Sequence, residues 1–260
     1  GTLPIKSTIV CVEKWALIDT HAHLQWRDFD RDREEVIQRA FTAGVGTIVN
    51  IGYDLNASRQ AVRIANDHEG VYAVVGIHPH NARTMQADVL EKLRDLARGE
   101  KVVAIGEIGL DYYRDLSPRG RQKEAFEQQI RLANELDLPV VVHDREAHAD
   151  VLEVIRNVGK DINGVLHCFS GSLEMAEEAI ELGYLISIAG PVTFPTARRL
   201  HQVVEHLPEE SIVLETDCPW LAPQSRRGGR NEPAFILETA RKVAELKGVQ
   251  ADKLVEVTSQ

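Results

Sequence analysis

The chain is 260 residues long, 43% hydrophobic and 5% aromatic, and carries a net charge of −10 at pH 7. That length suits a single α/β barrel. No run approaches the roughly eighteen consecutive apolar residues of a membrane span, and the acidic balance argues against avid, sequence-independent nucleic-acid binding through a broad basic face. A nucleic acid held locally by cations and a few arginines stays compatible with it.

Three cysteines, Cys11, Cys168 and Cys218, are too few and too scattered for a disulfide framework, so a reducing, cytoplasmic setting is expected. Gly1 to Trp15 has one lysine before a short apolar run and no clear cleavage site, and reads as an extension rather than a secretory signal. The expected organisation is an extension over 1–15 followed by one domain over 16–260.

The first expected strand, Ala16-Leu17-Ile18, leads into Asp19-Thr20-His21-Ala22-His23. Side chains alternate along a strand, so His21 and His23 point the same way, about 6.7 Å apart along the backbone, where two imidazoles can hold one metal ion. Arg31 to Ala43 then carries Val36, Ile37, Ala40 and Phe41 as a helical stripe that Gly44 stops. Gly46 to Asn50 is a short β-branched run. A helix over about 55–66 precedes the strand Val71–Val75, which ends in Gly76-Ile77-His78-Pro79-His80. A helix with Val89, Leu93 and Leu96 on one face leads to the strand Val102–Ile105 and its sequel Gly106-Glu107-Ile108-Gly109-Leu110-Asp111-Tyr112.

A long helix over 119–136 presents Phe126, Ile130 and Ala133. The strand Pro139–Val142 ends at His143, and the helix with Val151, Leu152 and Ile155 stops at Gly159. Gly164-Val165-Leu166 ends at His167, and the helix around Ala176, Ala179 and Ile180 stops at Gly183. Leu185–Ile188 precedes Gly190-Pro191, a helix spans 197–206, and Ile212-Val213-Leu214 ends in Glu215-Thr216-Asp217. A final helix covers about 233–246.

Eight strands, each followed by a helix at a period of about thirty residues, imply parallel pairing with right-handed crossovers and closure into a single-domain (β/α)8 TIM barrel. An open doubly wound sheet is the alternative, but no Gly-rich dinucleotide turn follows the first strand. Functional residues of such a barrel sit at the carboxyl ends of its strands. Those ends carry His21, His23, His78, Glu107, His143, His167 and Asp217. Any one of them reads as an ordinary polar strand end. All of them together, at the same end of successive strands, do not.

Histidines grouped with two carboxylates suit two divalent cations close together, with Glu107 able to bridge through both oxygens. Such a pair clamps a phosphoryl oxygen and generates a nucleophile from water. Asp217 can ligate one cation and orient or deprotonate that water. An imidazole-rich set suits Zn²⁺ or Mn²⁺ better than Mg²⁺.

With these residues in view, the chain from about Leu17 onward resembles the TatD family of metal-dependent deoxyribonucleases, within the amidohydrolase-like barrels. The matching pieces are Asp19-Thr20-His21-Ala22-His23-Leu24, Gly76 to His80, Gly106 to Tyr112, His143-Asp144-Arg145-Glu146, His167-Cys168-Phe169-Ser170-Gly171, Glu215-Thr216-Asp217 and Arg230-Asn231-Glu232-Pro233. The resemblance implies that His21, His23, Glu107 and Asp217 bind one metal and Glu107, His143 and His167 the other. It also implies hydrolysis of DNA phosphodiesters, as a 3′-to-5′ exonuclease, with Asp217 and Glu107 catalytic. Family chains usually begin just before the first histidine strand and run past this last helix, so 1–15 reads as additional and the C-terminus as truncated. Cys218 and Trp220 stand where Ala or Ser and Tyr are common, and Trp220 is placed to alter the substrate mouth.

Further expectations concern the rim. Arg145 either grips a phosphate bidentately or pairs with a helix carboxylate. Arg226, Arg227 and Arg230 form a basic loop after the last strand, with Arg230 the expected phosphate contact. His78 hydrogen-bonds substrate or a ligand, His80 is structural, and Asp19, Asp111 and Tyr112 support the site or line it. Cys168 and Cys218 pack, while His68, His148, His201 and His206 lie at the surface. No membrane and no obligate protein partner is expected. Two other functions fit less well: an amidohydrolase-type hydrolase of a small ester, lactone or amide, whose relatives often bridge their metals with a modified lysine that no strand end here supplies, and a non-catalytic metal-binding scaffold, which needs no spare acid–base group such as Asp217.

Overall fold

The computed structural model describes residues 16–159 and 162–260, so the expected extension over 1–15 lies outside the described residues. The elements are β1 (Leu17–Ala22), α1 (Arg33–Thr42), β2 (Val45–Ile51), α2 (Leu55–Asp67), β3 (Val71–Val75), α3 (Ala87–Ala97), β4 (Val102–Asp111), α4 (Arg119–Glu135), β5 (Val140–Arg145), α5 (His148–Val154), β6 (Gly164–Leu166), α6 (Leu173–Glu181), β7 (Tyr184–Ile188), α7 (Arg198–His206), β8 (Ile212–Leu214), α8 (Ile236–Lys247) and α9 (Ala251–Thr258). The strands form one parallel sheet in sequence order, β1 to β8. Beyond β8 the chain returns to β1: Asp217 N donates to His21 O at 2.8 Å and His23 N to Cys218 O at 2.9 Å, and an Ala22–Cys218 bridge brings the edges together. The result is the (β/α)8 barrel anticipated from the alternation.

Strict βα alternation places one apolar layer between strands and helices, where Val36, Leu93, Phe126, Ile130, Val151 and Val243 are buried. A second cluster, Ile51, Val74, Ala104 and Val141, contains strand residues only and fills the ring's interior. α2 begins on Asp54, whose side chain accepts from Ala57 N, and α6 on Ser172, which accepts from Met175 N; each satisfies one free amide of a first turn. Among the described residues no helix is long and apolar enough to cross a membrane.

Two strands differ from the sequence reading in a way that matters for the site. β1 continues to Ala22 and β4 to Asp111, well past the expected ends at Ile18 and Ile105. In each, the parallel register slips by one residue. Asp19 pairs with Ile48 and Ala22 with Asn50, while Ile105 pairs with Val140 and Ile108 with Val142. An extra residue in one strand bends it and re-aims a side chain, and the two slips bracket His21 and Glu107. Glycine flanks the second slip for a steric reason. A Cβ on Gly109, at φ +137, would stand 2.0 Å from His143 O. The short α9 beyond Gly248 was not anticipated. Gly248 ends α8 in the left-handed conformation at φ 68, and the helix resumes three residues later.

Candidate metal centre

The slips and strand ends bring together the side chains that the sequence singled out. Glu107 lies at the centre, 4% exposed. Its Oε2 is 3.6 Å from His21 Nε2 and 3.7 Å from His23 Nε2, and those two nitrogens lie 3.1 Å apart. Asp217 Oδ1 completes that half at 3.7 Å from His21 Nε2 and 3.4 Å from His23 Nε2. On the other side, Glu107 Oε1 is 2.8 Å from His143 Nδ1 and 2.9 Å from His167 Nε2, with 3.2 Å between the two nitrogens. A tetrahedron of donors about 2.0–2.1 Å from a cation has edges of about 3.3–3.4 Å. The first half matches that size, and the second is slightly tighter. Donor spacings of this size are those of a divalent-cation site.

Hydrogen bonds on the outer ring atoms say which nitrogen has a lone pair to offer. His23 Nδ1 faces the carbonyl of Ile51 at 2.9 Å, so its proton sits there and Nε2 is free to ligate. His143 Nε2 faces Asp111 Oδ2 at 3.3 Å, leaving Nδ1 for the centre. His167 Nδ1 lies 3.3 Å from Glu215 Oε1, a close charge contact without hydrogen-bond alignment. These are the carboxylate– and carbonyl–imidazole arrangements that orient metal ligands. His21 Nδ1 is buried and has no partner among the described residues.

His78 differs. Its Nδ1 accepts from His80 N at 3.1 Å, so the neutral ring carries its proton on Nε2, 3.4 Å from Glu107 Oε1. By distance His78, Glu107 and His143 form a possible ligand group, as do His21, His167 and Glu215. The tautomer makes His78 Nε2 a hydrogen-bond donor rather than a ligand.

Electrostatics follow from the crowding. Burial would raise the Glu107 carboxyl, but the crowd of imidazoles around it, His78, His167 and His143, holds it well below the usual carboxylate range. Burial acts in the same direction on Asp217, and His23, His21 and His167 overcome it, so Asp217 is ionised at neutral pH. Burial lowers the His78 imidazole to about 4 and keeps it neutral. For His167 burial would lower the imidazole, but Glu107 and Glu215 raise it well above its ordinary value. Asp217 and Cys168, which follows His167, are non-glycine residues at φ 54 and φ 45. Such backbone persists where the surroundings over-determine it, and it clusters at functional sites.

The expected support from Asp19 is present, and Glu215, Gln122 and Gln129, to which the sequence reading gives no role, add to it. Glu215 is fully buried and takes hydrogen bonds from Ser187 Oγ and, at 2.8 Å, from Cys168 N. It shares strand parity with Asp217, and that parity is the signal that would have found it. Asp19 accepts from Thr216 N at 2.9 Å and Thr216 Oγ1 at 2.6 Å, tying β1 to the segment that presents Asp217. Gln122 and Gln129, buried on α4, hold Asp111 N at 2.8 Å and Ile77 N at 2.7 Å. Sequence offers no sign of them, since glutamine on a helix normally faces water.

The rim residues fall in different places. Arg145 is exposed, its guanidinium 4.0 Å from the Tyr113 ring centre. Arg230 is engaged: its fork pairs with both oxygens of Asp32 at 2.7 and 2.6 Å and donates to Asp28 O at 2.7 Å. A phosphate at Arg230 would have to compete with Asp32. His80 Nε2 pairs with Asp111 Oδ2 at 2.7 Å. His68, His148, His201 and His206 bond locally, to Glu34, Asp144, Val192 O and Gln202 O.

Comparison with known proteins agrees along the chain. The family model described as TatD related DNase matches residues 18–260. An uncharacterized metal-dependent hydrolase, YabD, of Bacillus subtilis (strain 168) is 41% identical over 245 residues, covering 94% of this chain and 96% of that protein. A protein named 3′-5′ ssDNA/RNA exonuclease TatD, of Pantoea sp. (strain At-9b), is 37% identical over 245 residues, covering 92% and 94%. The crystal structure of YjjV, a TatD homolog from Escherichia coli K12, superposes with a TM-score of 0.87 at 33% identity, covering 93% of this chain and 94% of that one.

Proposed function

The chain belongs to the family of TatD related DNases and is a metal-dependent hydrolase, and from that premise we propose that it is a 3′-to-5′ exonuclease of single-stranded DNA working with two divalent cations. The observation that carries the two-cation reading is Glu107, whose Oε2 faces His21 and His23 while its Oε1 faces His143 and His167. A single-cation site has no need of a carboxylate with separate imidazole pairs on its two oxygens. His21, His23, Glu107 and Asp217 would hold one cation, and Glu107, His143 and His167 the other. The imidazole content favours Zn²⁺ or Mn²⁺ over Mg²⁺. Cations held there would neutralise charge on a phosphoryl oxygen and lower the pKa of water, so that hydroxide is available at neutral pH.

The rest belongs to the protein's own residues. Asp217, ionised and held by its contact with His23, accepts a proton from the attacking water. The water oxygen bonds to phosphorus, the bond from phosphorus to the 3′-oxygen breaks, and that oxygen takes up a proton. The products are a nucleoside 5′-monophosphate and a strand shorter by one nucleotide. His78, neutral with its proton on Nε2, donates to a non-bridging phosphate oxygen. Arg145, exposed at the end of β5, offers a fork to the next phosphate.

The test uses protein stripped of metal and reloaded with Mg²⁺, Mn²⁺ or Zn²⁺, given 5′-labelled single-stranded DNA, with an RNA strand of the same sequence alongside. A ladder shortening one nucleotide at a time, reduced at least about 10²-fold in Asp217→Asn, is the expected result. Intact DNA with every metal, on protein shown by elemental analysis to be loaded, overturns the proposal.

A further inference from the structure

The mechanism leaves one feature of the mouth unused. Trp220 is 41% exposed, one of few large apolar side chains so placed among the described residues. It lies on the segment that carries Asp217 and is pinned at both ends of its backbone. Trp220 N donates to Asp217 O at 3.0 Å and Trp220 O accepts from Asn231 Nδ2 at 2.7 Å. Its ring meets that of His23 edge-to-face at 5.3 Å between centres and that of Trp26 at 4.8 Å. Tyr53 closes the corner, 5.5 Å from Trp26 and 5.8 Å from His23. The indole N–H groups of Trp26 and Trp220 and the Tyr53 hydroxyl have no hydrogen-bond partner among the described residues. Edge-to-face contacts hold rings without consuming both of their faces.

The geometry points to a nucleobase subsite: the corner of Trp220, Trp26 and Tyr53 stacks a base flanking the scissile phosphate, and so selects unpaired strands. The inference rests on the nuclease reading above. Two observations independent of one another support this occupant. The corner adjoins His23, so a phosphate drawn to the cation that His23 and Asp217 would hold brings its own nucleoside towards the exposed indole. The chain's charge of −10 and the engagement of Arg230 by Asp32 limit the cationic surface available to phosphates away from the metal centre and Arg145, so affinity for the strand gains from a contact that does not depend on charge. Stacking on aromatic rings supplies it for any base, because every base has a π face, and only an unpaired, splayed base can reach the corner.

The experiment compares an oligonucleotide having its last two nucleotides intact with one in which both are abasic, on metal-loaded wild type, Trp220→Ala and Trp220→Phe. KM for the wild type is expected to rise about ten-fold on removing the bases, within the range found for single base–aromatic stacks. Trp220→Ala should show the raised KM on the intact strand and no further rise on the abasic one, with kcat and metal content unchanged, and Trp220→Phe should recover most of the difference. Intrinsic tryptophan fluorescence, quenched by the intact strand and not by the abasic one, gives a readout independent of cleavage. Equal KM for both strands, or a Trp220→Ala loss that falls on both alike or on metal content, overturns the subsite while leaving the nuclease reading in place. Base-dependent quenching without cleavage under any metal overturns the nuclease reading and keeps the subsite.

Discussion

Replacing Glu215 by Gln tests whether the metal centre depends on a carboxylate that never touches substrate. Glu215 is fully buried behind His167, with one oxygen 3.3 Å from the outer nitrogen Nδ1 and the other accepting from Ser187 Oγ. Gln keeps the volume. Its carbonyl oxygen can still accept from Cys168 N, and its amide can donate to the Ser187 hydroxyl, whose proton is free to rotate away. What is lost is the negative charge facing an imidazole. At 3.3 Å and an effective dielectric near 20, two full charges interact by about 5 kcal/mol, which is the ceiling. Only the part of that interaction that raises the basicity of Nε2 reaches the cation, and losing such a partner typically weakens metal binding about 10- to 100-fold. Competition with a chromogenic chelator for Zn²⁺ or Mn²⁺ at pH 7, with near-UV circular dichroism to verify packing, measures the change. Affinity within about two-fold of wild type, in a protein with native dichroism, would refute the idea that Glu215 acts through His167.

Other consequences are open to measurement. Gly109→Ala forces a Cβ into the carbonyl of His143 at a positive φ, so urea unfolding should show a loss of about 3 kcal/mol or a failure to fold; a change under about 0.5 kcal/mol would mean β4 and β5 can separate freely there. Arg145→Gln should lower the slope of log affinity against log salt for single-stranded DNA by about 0.7, as for one lost phosphate contact. Arg230→Gln, which breaks the Asp32 fork, should leave that slope unchanged and lower thermal stability; the opposite pattern would reverse the two roles. His68 is bonded to Glu34 at 2.8 Å; burial opposes protonation, but that carboxylate prevails and raises its pKa. A raised histidine pKa contributes stability fully present below about pH 6.5 and lost as pH rises through the folded-state value. Glu34→Gln should therefore cost up to about 1 kcal/mol at pH 5.5 and close to nothing at pH 9, and an equal cost at both values would remove the linkage.

The alternation of apolar runs with helical stripes determined the barrel by itself, because eight parallel strands that each need a helical cover close in few other ways. Strand ends also exposed His21, His23, Glu107, His143, His167 and Asp217 as one set, since a single rule, reading the carboxyl end of each strand, selects them. That rule is local. It could not show the one-residue slips in β1 and β4, which arise from pairing with neighbours and decide where His21 and Glu107 aim. Nor could it distinguish His78 from the other histidines, which only the family resemblance set apart, because a tautomer is set by the group against the second nitrogen, here the amide of His80. Gln122 and Gln129 look like solvent-facing helix residues until α4 is packed on the barrel and their amides meet the backbone after β3 and at the end of β4. Arg230 makes the same point from the opposite side. Its loop reads as a free basic patch, and only the fold delivers Asp32, about two hundred residues earlier, to occupy its fork. Periodicity and residue chemistry travel along the chain and can be read there; partners distant in sequence exist only once the barrel closes.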